Sequence, residues 1–135
     1  MEKEAVSEKK KILVIDDEEI LTRTFVKLLE KSGHDAFFVK TGDDAIEIVK
    51  EVDFDLIITD VRMPGMNGFE TLKNIHAFCE EQRKEHPPEI VITGYVDEAL
   101  EKQIKELGVG FATANPVTYF FDHTSYDFFF VYFIM

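Results

Sequence analysis

LIITDVRMPGMNGFE, residues 56–70, decides the fold of this chain. Leu56–Thr59 are apolar or β-branched and lead straight into Asp60, so they read as a buried strand that ends on a carboxylate. Met63-Pro64-Gly65 then forms a sharp turn, with Pro fixing one dihedral and Gly allowing another, and Asn67-Gly68 opens a helix. A bare acid at the end of a buried strand is costly unless something nearby needs its charge. The rest of the sequence has to supply that need.

Working outward, the same strand-then-helix unit recurs. KILVID (11–16) is a short apolar run that ends on an acid, and from Glu18 the spacing of Leu21, Phe25, Leu28 and Leu29 predicts a helix closed by Gly33. DAFFV (35–39) is a second strand, and Thr41-Gly42 opens a helix carrying Ala45, Ile48, Val49 and Val52. After LIITD comes a helix with Phe69, Leu72, His76 and Cys79 at helical spacing, stopped by Pro87-Pro88. EIVIT (89–93) is a fourth strand; residues 97–107 form a helix with Leu100, Ile104 and Leu107 inward; GFATA (110–114) is a fifth strand. Strands that are apolar throughout and alternate with helices define an α/β parallel sheet covered on both faces. Right-handed crossovers leave few ways to wind it, and its site lies beyond the carboxyl ends of the strands.

Asp16, Asp17, Asp60 and Thr93 each stand at or just past such an end. If the first and third strands are neighbours, about 5 Å separates them, and the three acids converge. Their repulsion is relieved either by raised pKa values or by a hard divalent cation, for which Mg2+ is suited. A carboxylate beside such an ion can attack phosphorus. The competing reading makes Asp16 or Asp17 a helix N-cap, which accounts for one acid but not for the whole group.

Composition narrows the function classes. The chain has 135 residues, enough for one domain with a proper core, and 45% of them are hydrophobic. A net charge of −12 repels nucleic acid and anionic membranes, arguing against direct DNA binding. Cys79, the one cysteine, has no disulfide partner and reads as a half-buried core residue. His34, His76, His86 and His123 form no ligand pair at helical spacing and read as scattered surface or capping residues. MEKEAVSEKK (1–10) is a charged lead-in with no signal-peptide or membrane-span character, so the expected location is cytoplasmic.

VIDDE (14–18), DLIITDVRMPGMNGFE (55–70) and VITGY (91–95) resemble the receiver domain of two-component response regulators, from Lys11 to about Gly110. The resemblance implies a flavodoxin-like doubly wound sheet of five parallel strands in the order 2-1-3-4-5. It implies that Asp60 accepts a phosphoryl group from a sensor histidine kinase or phosphotransfer protein. Asp16 and Asp17 would hold Mg2+ with Asp60 and the Arg62 backbone carbonyl, and Thr93 would be the switch hydroxyl. Output would pass to a downstream protein target. Such a domain is a phosphoryl acceptor rather than a turnover enzyme; aspartate-nucleophile phosphohydrolases, the weaker alternative, commonly carry a second acid where Arg62 stands here.

The resemblance fails towards the end of the chain. Asn115 stands where the family has a lysine before proline, and Asn cannot supply a positive charge. The aromatic partner of the threonine is displaced too, with Ala112 at its place and Phe111 one residue earlier. These departures support a rival reading, a pseudo-receiver that keeps the fold as an interaction module with impaired switching. The expected organisation is a lead-in (1–10), a receiver domain (11–116) and an atypical segment (117–135) in place of the fifth helix, with no output domain. Of 17 aromatic residues, 10 fall in residues 111–135, and no Lys, Arg or Glu follows Glu106. That segment favours strand over helix and its apolar end is too short to span a bilayer. Three readings stay open for it: a shifted reading frame, a homodimer contact, or a membrane-surface anchor, the last disfavoured by its lack of basic residues.

Overall fold

Five-residue apolar runs become the first four strands, and a polar or glycine-containing step ends each of them. The computed structural model describes residues 9–93, 98–107, 110–113 and 119–120. In chain order the elements are β1 (Lys11–Ile15), α1 (Glu19–Lys31), β2 (Asp35–Val39), α2 (Gly42–Glu51) and β3 (Leu56–Asp60), then α3 (Gly68–Glu81), β4 (Glu89–Thr93), α4 (Glu98–Leu107), β5 (Gly110–Thr113) and β6 (Tyr119–Phe120). The sheet order is β2-β1-β3-β4-β5-β6. The first five strands are parallel, in the expected order.

A short sixth strand adds to the five expected parallel ones at the β5 edge. β6 pairs antiparallel with β5, Phe111 opposite Phe120 and Ala112 opposite Tyr119. Its residues have high strand propensity, and β5 offers an open row of backbone donors and acceptors at the sheet edge. The inward positions expected for α4 (Leu100, Ile104, Leu107) concern side chains outside the described part, as do Asn115, His123 and residues 121–135.

The central strands are apolar without alternation because both their faces are covered. Along β1, Leu13 and Ile15 pack with Ala45, Val49, Ile57, Leu72, Ile75 and Val91 on one side of the sheet. Ile12 and Val14 pack with Leu29, Leu56, Ile58 and Ile90 on the other. Each such fully buried aliphatic side chain contributes roughly 1.5–3 kcal/mol relative to exposure. β2, at the edge, is only partly covered, and Phe38 is 46% exposed. Cys79 lies fully within the core rather than half-buried.

Local signals set the helix ends. Thr41 Oγ1 accepts the Asp44 N–H, capping α2 as its Thr-Gly start suggests. Asn67 and Glu70 form a reciprocal capping box on α3. Ser32 caps α1 at its carboxyl end, and Gly33 follows with φ +93. No helix among the described residues is long and apolar enough to cross a membrane.

Candidate functional site

β1 and β3 are hydrogen-bonded neighbours, with Ile15 level with Thr59. Asp16, one step past β1, therefore stands beside Asp60, the last residue of β3. Carboxylate oxygens of Asp16, Asp17 and Asp60 all lie within 4.8 Å of one another. The convergence expected from the sequence is present.

The three acids sit in different surroundings. Asp16 is 2% exposed, and its Oδ1 accepts the Glu18 N–H at 2.8 Å. Glu18, the residue at the N-cap of α1, makes no side-chain cap, so Asp16 braces the loop without capping the helix. Thr22 fastens the same loop from α1: its Oγ1 donates to the Glu18 carbonyl at 3.0 Å and approaches the Asp16 carbonyl at 3.4 Å. Thr22 was not singled out in the sequence; its only signal is its place one residue from Leu21 in the helical pattern. Asp17 is exposed, and Asp60 is half-buried.

Burial, then the neighbouring Asp16 charge, pushes the Asp60 carboxyl up to about 6, although the Arg62 and Val61 backbone N–H groups hold it down in part. Burial also raises Asp16, against the pull of the Glu18 N–H, with Asp17 and Glu18 adding repulsion. Among the described residues none of the three carboxylates forms an ion pair. An electron-rich, oxygen-only cluster of this kind fits a hard divalent cation such as Mg2+.

The turn after β3 explains why its glycines are glycines. Gly65 has φ +78, which suits the third position of a Pro-Gly turn and strains any residue with a Cβ. At Gly68 a Cβ would run into the Asp60 backbone carbonyl oxygen, and the Gly68 N–H donates to the Val61 carbonyl at 2.9 Å. The start of α3 is thereby pressed against the strand end that bears Asp60. Arg62 meets Asp60 through its backbone N–H. Thr93 is the last residue of β4, one step beyond Ile92, which pairs with Asp60. Its hydroxyl lies outside the described part, as does Asn115.

The histidine reading needs correction. His34 links the start of β2 to the start of β1, its Nδ1 accepting the Lys10 N–H at 3.1 Å. His76 and His86 are not scattered: both reach Glu89, the first residue of β4. The cause is tertiary, since the loop after α3 folds His86 back over that helix. Spacing on one helix could not reveal it.

A doubly wound α/β sheet with acids gathered at the carboxyl ends of adjacent central strands defines a flavodoxin-like domain with its site at the point where strand order reverses. The chain belongs to the response regulator receiver domain family, whose profile matches residues 12–112. The polar-differentiation response regulator DivK of Brucella ovis is 25% identical over 81% of this chain and 86% of its own length. The sensory/regulatory protein RpfC of Xanthomonas campestris is 30% identical over 79% of this chain, but the match spans only 15% of that longer protein. Among solved structures, the chemotaxis protein CheY4 of Vibrio cholerae superposes with a TM-score of 0.72 at 24% identity, covering 81% of this chain and 89% of its own.

Proposed function

We propose that this chain is a phosphoryl acceptor in a two-component relay, with Asp60 as the accepting residue. The observation that carries the reading is the gathering of Asp16, Asp17 and Asp60 within 4.8 Å, with Asp60 pushed up to about 6. A carboxylate held in that range ionises near neutral pH yet stays poorly solvated, which suits a nucleophile.

Asp16, Asp17, Asp60 and the Arg62 carbonyl are the groups that would hold Mg2+, which when bound supplies positive charge against the phosphoryl oxygens. In the transfer an Asp60 oxygen forms a bond to phosphorus. The bond from phosphorus to the donor breaks, and its electron pair leaves with the donor, a phosphohistidine of a sensor kinase or phosphotransfer protein. Thr93, the last residue of the neighbouring strand, is the residue we assign to follow the phosphoryl group. Ile20, 83% exposed on the first turn of α1, gives such a donor an apolar foothold beside the acids. Aspartyl phosphate formation is stoichiometric, so the chain acts as a signalling module rather than as a turnover enzyme.

The sequence also favours a second reading. Asn115 lacks the charge that offsets a phosphoryl dianion, so a pseudo-receiver would take the group slowly, or take it without changing shape. Intact-mass spectrometry after exposure to a small phosphodonor and Mg2+ separates the two. Wild type should gain one phosphoryl mass and Asp60→Asn none. No gain in wild type favours the pseudo-receiver, and a gain that persists in Asp60→Asn moves the acceptor elsewhere.

A further inference from the structure

At the opposite end of the sheet a second cluster of metal-binding side chains has no part in phosphoryl transfer. Glu89 opens β4, four residues before Thr93, so about 13 Å of strand separates its end of β4 from the carboxyl end. Its side chain is 0% exposed. His76 Nε2, from α3, stands 2.8 and 2.7 Å from the two Glu89 oxygens. His86 Nδ1, from the loop that follows, stands 3.3 Å from Oε2. The two imidazole rings are stacked, with centroids 3.7 Å apart and planes 16° from parallel.

Without a metal, protons hold this cluster together: one on His76 Nε2 serves both Glu89 oxygens, and one on His86 Nδ1 points at Oε2. Full protonation of both rings would stack two like charges face to face, a repulsion that an ion replacing the inward protons avoids. His86 Nδ1 is moreover shared, lying 3.1 Å from the Pro87 carbonyl as well. The nearby cation is turned elsewhere: Lys84 Nζ binds Asp53 Oδ1 at 2.8 Å. A cation placed between the two nitrogens and the carboxylate would satisfy all three at once.

We propose that His76, His86 and Glu89 bind one divalent transition-metal ion of the zinc class. Two imidazoles and one carboxylate are a recognised ligand set for zinc, which they hold at about 2.0–2.2 Å. Ligand atoms around such an ion stand about 3–3.5 Å apart; His86 Nδ1 already has that separation from Glu89, while His76 Nε2, at 2.7 and 2.8 Å, must draw back slightly to admit the ion. Mg2+ prefers an all-oxygen set, so the ligand types sort the two ions between the two ends of the sheet. The ligands are well supported. His76 sits on a regular helix, Glu89 on a central strand, and His86 precedes Pro87-Pro88, which stiffens its loop. His86 is 43% exposed, leaving its ring free to turn out of the stack and aim its lone pair at the ion. A cavity of about 510 Å³ bordered by His76, Cys79, Lys84 and His86 gives access and room for a water as a further ligand. The bound ion would tie α3 to the start of β4.

The test is a calorimetric Zn2+ titration of the full-length chain, stripped with chelator and kept in saturating Mg2+ to engage the acids at the other end. One Zn2+ per chain is expected. His86→Gln and His76→Gln should each weaken it by on the order of tenfold or more, because even losing a partner that only orients a ligand costs about that much. Asp60→Asn should leave it unchanged. Co2+ replaces Zn2+ as a spectroscopic probe: its visible absorption should appear in wild type and in Asp60→Asn and fade in His86→Gln. No Zn2+ binding by wild type overturns the proposal, as does binding that survives both histidine substitutions or disappears in Asp60→Asn. Circular dichroism of His86→Gln, altered at a surface-accessible ring, excludes misfolding as the cause of any loss.

Discussion

The two ends of the sheet each remove a carboxylate from water, and they manage it in opposite ways. At the carboxyl end, Asp60 shares its space with two more acids and has no ion-pair partner among the described residues. Burial and repulsion therefore stay on the group and raise it to about 6. At the amino end, Glu89 is wholly buried, yet two imidazoles close over it. One end is left electrostatically unfinished and gains by taking up a cation or a proton. The other is already partnered by protein groups. A site that must accept a charged group benefits from the first condition; a structural tie benefits from the second.

The largest effect should come from breaking the partnered end. His76→Ala leaves the Glu89 carboxylate buried with one weaker contact at 3.3 Å. Stranding a buried charge in this way costs about 3 kcal/mol. Urea denaturation of wild type and variant measures it. A cost below about 0.5 kcal/mol, ordinary for a surface substitution, would mean that His76 and Glu89 are not coupled.

At the unfinished end the same kind of substitution should stabilise. The folded-state pKa of Asp60, about 6, lies above its ordinary 3.8, so between those values the folded chain holds a proton that the unfolded chain has released. Stability therefore falls as pH rises through that window, and the full penalty stands above it. Asp60→Asn removes the ionisation and should stabilise the metal-free protein by about 1–2 kcal/mol at pH 8, a figure reduced for partial solvent access. The gain should vanish towards pH 3.5, where aspartate is protonated in both states. An equal gain at both pH values would show that repulsion and burial are not the cause. Saturating Mg2+ should reverse the order, stabilising wild type over the variant.

Asp17 sharpens the contrast within the trio. It is exposed, so losing its charge disturbs the fold little, but it removes one ligand oxygen's charge from the ion. Asp17→Asn should weaken Mg2+ binding by roughly tenfold, or about 1.4 kcal/mol, with the urea midpoint in the absence of Mg2+ nearly unchanged. Titration followed by NMR reads the affinity. Equal Mg2+ binding in both proteins would remove Asp17 from the site.

The carboxyl end was legible in the sequence because its residues are local to strand ends. Asp16 and Asp17 follow one apolar run and Asp60 ends another, so a parallel sheet with those strands adjacent brings them together without further information. The capping box at Asn67 and Glu70 and the turn at Gly65 are equally local. The amino-end cluster was not legible. His76 and Glu89 are 13 residues apart and on different elements, and their meeting depends on how the Pro87-Pro88 loop returns the chain to β4. No helical or strand spacing encodes that return. Phe38 was drawn into the apolar reading of β2, but at an edge strand one face goes uncovered, and that follows from sheet order rather than from the run itself.

The smallest expected effect lies at the far edge. β6 contributes two residues, paired with Phe111 and Ala112 of β5. Cross-strand pairs of this kind contribute roughly 0.2–1 kcal/mol each, so deleting residues 117–135 should cost the monomer about 1 kcal/mol. Its effect on association should be plainer. The deleted segment holds nine aromatic residues and neither Lys, Arg nor Glu, and so much apolar surface is poorly accommodated in water. We expect the full chain to self-associate through it whether or not Asp60 is modified, and the truncated chain to sediment as a monomer. Phosphorylation should change neither result, because Asn115 supplies no charge to couple Asp60 to the edge strands. Sedimentation of both chains, with and without phosphodonor, tests each half separately. A full chain that is monomeric until phosphorylated would show that the acids at the carboxyl end do govern this edge, and that the aromatic segment answers to the phosphoryl group rather than to its own composition.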